Sequence, residues 1–422
     1  MFVKDQTRFA GPVVLCLMAG ALPQTASATE GYFALGYGPA QRGVGGAGVA
    51  YSQDAMSGAI NPASVATVGR EMSLGLQAFS PSRGFTGDST GFVPSGTIDS
   101  GKSFFPVPNA AYNLPLSNGA VVNFAAYGNG GMNTSYDAVP NANCGGGTGV
   151  FCGGESGVDL TQLFVSVTYA QKLGRLSYGI APTLAVQAFE AKGLAAFSGI
   201  SVDPTALSDN GYDYSTGLGL RVGLQYELSD QLTLGLSAQT KFNMSEFDKY
   251  AGLFEGGGDF DIPPSVTIGL AYQPTSDLAL LLDYQKIFYS DAPAVANPMS
   301  SGALGADGGA GFGWEDVEVI RLGAEWKASP DMTWRVGYAH AANPVGADDV
   351  TFGILAPGVV EDHFTVGGSR QINARDRIDF SLSYVPENTV SGPEMTPLGP
   401  TGGTVDLNMS QISASIGWTR TF

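Results

Sequence analysis

The sequence predicts an all-β fold, a fourteen-stranded antiparallel transmembrane β-barrel with an N-terminal plug, or hatch, inside its lumen. Three observations carry this expectation. Apolar residues alternate with polar or small ones at period two from residue 70 onward. The connections between these runs are by turns tiny and long. A Gly/Ala-rich segment without alternation precedes the first run.

Residues 1–28 carry the marks of an export signal. Lys4 and Arg8 give a positive flank, Ala10 to Leu22 is a short apolar stretch, and Ala26-Ser27-Ala28 supplies a small-residue cleavage site. Cys16 follows Leu15, whereas a lipid-anchored cysteine needs a small residue before it. After cleavage only Cys144 and Cys152 remain, in a Gly-rich stretch, and two cysteines alone in an exported chain read as a disulfide. A metal site is the weaker reading, because no His lies near them.

Composition removes several classes. The 422 residues hold 38 Asp+Glu against 20 Lys+Arg, a formal net charge of −18, so the basic face that nucleic acid requires is missing. Aromatic residues at 10% and hydrophobic residues at 44% are too many for a disordered acidic chain. Past the N-terminus no apolar run reaches the ~18–20 residues that a membrane helix needs.

The strands follow in order. Leu218, Leu220, Val222, Leu224, Tyr226 and Leu228 alternate with Gly217, Gly219, Arg221, Gly223, Gln225 and Glu227. Leu232, Leu234, Leu236, Ala238, Phe242 and Met244 form one face of the next run. Ile320, Leu322, Ala324 and Trp326 do the same, and Ile412, Ala414, Ile416, Trp418 and Phe422 close the chain. A soluble sandwich shows the same alternation, so length decides. Many runs exceed the ~5–6 residues of a globular strand and match a tilted membrane strand.

Tiny connections fall at Pro115–Gly119, Lys172–Arg175, Ser229–Gln231, Thr275–Asp277, Ser329–Asp331 and Asn373–Arg375. Long ones fall near 82–103, 137–158, 190–211, 248–261, 291–313, 342–360 and 387–404. Six turns and seven loops connect fourteen strands. In lipid every backbone group must pair within the protein, so the sheet closes. Arg420 interrupts the apolar face of the last strand and is placed to snorkel to headgroups.

Residues 29–69 are too apolar for a solvated linker and too few for a domain of their own. Joined to a barrel this wide, at residues 70–422, they are expected to plug it.

Within that segment, Gly43-Val44-Gly45-Gly46-Ala47-Gly48-Val49-Ala50, Asp54 and Asn61-Pro62-Ala63 resemble the hatch of the FadL-type long-chain fatty-acid and hydrophobic-compound transporters. Pro264-Ser265-Val266, Gly269, Tyr272, Asp283-Tyr284, Arg321-Leu322-Gly323, Trp326, Arg335-Val336-Gly337-Tyr338, His363 and Gly367 extend the resemblance along the mature chain. It departs at Tyr37-Gly38-Pro39, where many members carry a Ser-containing stretch.

The resemblance implies a channel in the outer membrane of a Gram-negative bacterium that takes up long-chain fatty acids or hydrocarbons. It implies capture at the loops, plug rearrangement and lateral release through the wall. The expected partners are the hydrophobic small molecule, the outer-membrane lipids and the barrel assembly machinery, with a monomer, no cofactor and no nucleic acid. Leu194, Phe197 and Ile200, with Leu253, Phe254 and Phe260, are the candidate capture residues of two long loops. Phe33 resembles the N-terminal aromatic that reaches the family's internal site. Gly128-Asn129-Gly130-Gly131 interrupts the third strand, and Gly within a strand marks a bulge or a close backbone approach. The resemblance makes this the lateral opening, with Asn61-Pro62-Ala63 expected against it.

Three enzyme-like patterns lack their context. Gly96–Ser103 matches a P-loop, but Phe104-Phe105-Pro106-Val107-Pro108 cannot start the helix it needs. Gly43-x-Gly45-x-x-Gly48 has no strand before it, and Gly87-Asp88-Ser89-Thr90-Gly91 no strand-to-helix turn. With only His340 and His363 available, a hydrolytic triad is poorly supplied and no enzyme is expected. The loop carboxylates Asp348, Asp349, Glu361 and Asp362 read as a solvated face rather than a Ca²⁺ site. A general diffusion porin for small hydrophilic solutes is the rival function, and the plug segment argues against it.

Overall fold

The computed structural model describes residues 30–396 and 398–422, so the expected signal at 1–28 lies outside the described residues. Fourteen strands form one closed antiparallel barrel. They are β1 (Glu71–Asp88), β2 (Phe105–Pro115), β3 (Ala120–Asn133), β4 (Gly157–Leu173), β5 (Leu176–Lys192), β6 (Asp213–Glu227) and β7 (Leu232–Gln239). The second half comprises β8 (Ser265–Thr275), β9 (Leu278–Ile287), β10 (Val317–Ser329), β11 (Met332–Ala341), β12 (Asp362–Gln371), β13 (Asp376–Thr396) and β14 (Gly399–Thr421). Each strand pairs with its neighbour in sequence, and β14 returns to β1 from Glu71–Thr421 to Asp88–Thr404, which leaves no free edge at the seam. No described helix is long and apolar enough to cross a membrane.

The alternation resolves into an outside and an inside. On β6, Leu218, Val222, Leu224 and Tyr226 are exposed while Ser215, Arg221 and Gln225 are buried. On β14, Ile412 and Ile416 face out, and Ser413, Ser415 and Thr419 face in. The apolar face therefore meets lipid and the small or polar face lines the lumen, the reverse of a soluble core. Trp326 and Trp334 pair across β10 and β11 near the short turns, where both are exposed, as in the aromatic girdle of a membrane barrel. Arg420 lies 3.7 Å from Asp376 at the same rim.

Two expectations change. The stretch 387–404 is paired hairpin, because β13 and β14 stay paired, through two register shifts, up to Thr396–Gly399, and the first long loop begins only after Asp88. The run through Met244 does not keep one phase. β7 ends at Gln239, and a separate pair of residues, Asn243–Met244, resumes pairing with β6. The break turns Phe242 inward, where it stacks on Phe164 at 4.7 Å.

The lumen is graded along its axis. Toward the short turns, its wall presents Asn113, Asn123, Gln225, Asp283, Arg335 and Asp379. Toward the long loops it presents Phe79, Phe85, Leu160, Phe164, Phe189, Leu407 and Met409. Polar satisfaction governs the inner half and aromatic packing the outer half.

Candidate functional site

Residues 30–70 pack against inward-facing groups of strands all round the ring, and the grip is polar. Gly48 and Val49 N–H groups donate to Asp283 Oδ2 of β9 at 2.7 and 3.0 Å. Gly45 N–H donates to Thr365 Oγ1 of β12, Asn123 Nδ2 of β3 to Ala55 O, and Gln225 Nε2 of β6 to Ser64 Oγ. Tyr51 hydroxyl donates to Glu325 of β10, which is paired with Arg335 of β11, and Arg377 of β13 reaches Asp54. The Gly-rich run follows a short helix, α1 (Pro39–Gly43). At Gly45, with φ +67°, a Cβ would stand 2.9 Å from Tyr338 N, so close backbone approach explains this glycine of the apparent dinucleotide fingerprint.

Asn61-Pro62-Ala63 opens a short 3₁₀ helix, Pro62–Thr67. Asn61 Oδ1 caps it by accepting from Ala63 N–H, and Asn61 Nδ2 donates to Val49 O at 2.6 Å and to Leu224 O at 3.1 Å. The motif lies against Gly179 of β5 and Gly223 of β6, where a Cβ would meet Pro62 or Asn61 at 2.5 Å or less. The expectation that it faces the third-strand glycines is therefore corrected: its capping role demands a flat, side-chain-free wall, and β5 and β6 provide one.

At those glycines the wall changes. β2 and β3 pair from Pro115–Val121 only as far as Asn109–Tyr127. Beyond that, Phe105–Pro108 pairs with β1 alone, while Gly128–Asn133 continues on β4 with a register shift between Gly128 and Gly130. Pro106 and Pro108 lack N–H donors in just the part of β2 that β3 leaves. The vacated edge of β3 is taken by the N-terminal tail. Ala34 N–H donates to Asn129 O at 3.0 Å and Gly131 N–H to Tyr32 O at 3.1 Å, with Phe33 opposite Gly130. A Cβ at Gly130 would fall 1.7 Å from Tyr32 O, so only glycine admits the tail. Above the gap, Arg83 of β1 donates to Asn133 O and Oδ1 and to Lys102 O. A hollow lined by Phe79, Arg83, Met132, Trp314, Ala356 and Met409 adjoins it.

The tail itself is anchored in the lumen. Glu30 pairs with Arg321 of β10, its carbonyl accepts from Tyr289 hydroxyl at 2.7 Å, and that hydroxyl accepts from Tyr32 N–H at 3.0 Å. Burial raises the Glu30 carboxyl above its ordinary range, and Arg321 opposes that rise. Phe33 stacks on Tyr32 at 5.5 Å and meets Tyr289 edge-on, and it lines a polar lumenal hollow with Arg221, Gln239 and Arg321.

The candidate capture residues do not form an outer surface. Leu194, Phe197, Leu253, Phe254 and Phe260 are buried and Ile200 is half-buried. Phe197 packs on Phe151 and Phe352 from two other loops, and Phe254 on Phe260 and Phe189. Aromatic loop residues minimise exposed apolar area by closing on one another, and so cap the barrel from within. Cys144 and Cys152 are disulfide-bonded beside them, with Cα atoms 5.2 Å apart. In the loop after β7, burial and then the adjacent Asp261 push the Asp259 carboxyl up to about 7, against Lys241.

Among the described residues, no group of His, Cys, Asp and Glu is placed to hold a metal ion. Asp362 of the acidic loop set instead engages Tyr338 hydroxyl and His340. Sequence reasoning did not single out Glu30, Tyr32, Tyr289 or Trp314. Their roles arise from contacts across hundreds of residues, and the local signs of the gap were the glycines at 128–131 and the Pro106/Pro108 pair.

A family model described as outer membrane protein transport protein (OMPP1/FadL/TodX) matches residues 25–418. The structure is similar to the Pseudomonas putida toluene transporter TodX at 19% identity and TM-score 0.68, over 93% of this chain and 100% of that one. It is similar to a Pseudomonas aeruginosa FadL homologue at 17% identity and TM-score 0.69, over 92% and 99%. The Ralstonia pickettii toluene transporter TbuX matches at 20% identity and TM-score 0.61, again over 92% and 99%. No curated protein matches this chain in sequence.

Proposed function

This chain belongs to the outer-membrane transport protein family of FadL and TodX, and from that premise we propose that it passes hydrophobic molecules sideways into the membrane at the β3 gap. Entry lies among the loop aromatics, which reopen for an apolar ligand because its surface replaces their own mutual contacts. The plug at 30–69 closes the lumen to water-soluble solutes. The ligand then meets Phe33 and the tail, and leaves between β2 and β3, above the end of their pairing.

The observation that carries the proposal is the end of β2–β3 pairing at Asn109–Tyr127 while β3 runs on to Asn133. A downward exit would return the ligand to water at about 0.8 kcal/mol per CH₂ exposed. A sideways exit avoids that cost. Solved relatives that carry toluene in their names, TodX and TbuX, are consistent with an apolar cargo.

A reversible staple tests the route. A Cβ at Gly128 would stand 2.9 Å from Val107 Cγ1, so Val107→Cys with Gly128→Cys can bridge β2 to β3 just past their last pair. Uptake of labelled toluene or oleate should fall on oxidation and recover with reductant, beside a wild-type control carrying only Cys144–Cys152. Wild-type uptake by the oxidised, bridged protein would overturn lateral release.

A further inference from the structure

The aromatic outer lumen contains a polar level that the plug does not use. Gln162 of β4 stands directly opposite Gln187 of β5, and Gln187 opposite Ser215 of β6, so three inward side chains share one height. Asn129, the bulge residue of β3, joins them by donating from Nδ2 to Gln162 Oε1 at 3.0 Å, and it accepts from Tyr37 hydroxyl at 3.1 Å. Phe164 and Phe189 flank this level two residues along β4 and β5.

Its hydrogen bonding is incomplete. Both amide atoms of Gln187 have no partner, whereas Gln162 is turned to the Tyr32 hydroxyl, and all three side chains are fully buried. A buried polar atom without a partner is destabilising, so an amide open at both ends is retained only against a compensating use. Among the described residues, the other side-chain amide with both ends unpartnered is Asn109, at the last β2–β3 pair below the gap. The two open amides thus lie on the proposed route, one inside and one at the exit.

Amides select among cargoes. A bare hydrocarbon leaves every one of these atoms unsatisfied. An ionised carboxylate brings a charge that needs a cation; Arg321 is engaged by Glu30 and Arg221 by Tyr127 and Gln239, while Arg42 of the plug faces a separate hollow with Gln77 and Gln411. A neutral oxygen satisfies the set, since Nε2 donates to it and Oε1 receives its hydroxyl. We infer that Gln162 and Gln187 form a subsite for the oxygen of an uncharged lipophile bearing a hydroxyl or carbonyl group. This inference rests on the uptake reading above and narrows its substrate class.

Three probes of one skeleton test it: tritiated 1-dodecanol, dodecane and dodecanoate, taken up by cells carrying the full chain or Gln187→Leu. Dodecanol uptake by the wild type should exceed that of dodecane and dodecanoate by about tenfold. In Gln187→Leu the dodecanol-to-dodecane ratio should fall to about one. The variant should melt no lower than wild type, because leucine removes two unpaired polar atoms at similar volume. Gln187→Met serves if the leucine variant does not insert. Equal uptake of dodecanol and dodecane by wild type, a preference for dodecanoate, or a ratio unmoved by the substitution would overturn the subsite and assign the amides to water, while leaving uptake itself standing. Uptake of no probe above a control lacking the chain would overturn the uptake reading and the subsite together.

Discussion

The inner and outer halves of the lumen hold their contents by different forces. In the inner half the plug is fastened by directional contacts: Asp283 receives two backbone N–H groups, Asn61 reaches two carbonyls, and Arg335 joins Glu325 to Asp379. In the outer half Phe164 meets Phe242, and Phe254 meets both Phe189 and Phe260, through ring contacts of 4.7–4.8 Å that prescribe no single partner. Hydrogen-bonded pairs tolerate little displacement. Apolar contact is non-directional, so a hydrophobic guest can replace a neighbouring ring at little cost. A barrel that must stay shut to ions yet yield to a lipophile needs both, at different heights.

The comparison breaks most completely if the plug goes. Deleting residues 30–69 should leave a heat-modifiable barrel, since closure lies in β1–β14 pairing, while small-ion conductance in planar bilayers rises from near zero to porin-like. Unchanged conductance would show that the outer half alone seals the pore. A single change in the inner half comes next. Arg335→Gln leaves Glu325 buried without its cation and Asp379 with Arg377 alone, and should cost about 3–5 kcal/mol, read as a lower unfolding temperature together with ion leak.

The matching change in the outer half should separate stability from leak. Phe260→Ala opens a cavity beside Phe254 and Tyr32 and should cost about 3–4 kcal/mol, seen as faster proteolysis of the loop, without the leak of Arg335→Gln. Leak equal to that of the arginine variant would erase the distinction. The smallest effect is a pH response of the same loop. Asp259, faced by Asp261, Lys241 and Glu255, has its folded pKa raised to about 7, so its contribution is present in full at low pH and is lost as pH rises through 7. Protection factors in 248–261, which remove the intrinsic base catalysis of exchange, should fall between about pH 4 and 7, and Asp259→Asn should flatten that response.

Much of this architecture was legible in the chain. The alternation at Leu218–Leu228 and Ile412–Phe422, and the turns at Ser229–Gln231 and Asn373–Arg375, are properties of neighbours in sequence. The site was legible as residue types but not as contacts. The glycines at 128–131 announced an irregular strand, yet their partner is Tyr32–Ala34 rather than Asn61-Pro62-Ala63. The loop phenylalanines announced an apolar surface, yet they spend it on one another.

The sequence by itself determined a closed, lipid-facing barrel, because a period-two pattern and the need to pair every backbone group in a membrane leave one solution. Tertiary structure alone decided which wall each plug residue grips, that the tail fills the edge β2 abandons, and that Gln162 and Gln187 meet at one height with atoms to spare. These depend on ring closure, which brings Glu30 to Arg321 across 291 residues, and no local pattern encodes the geometry of such a meeting.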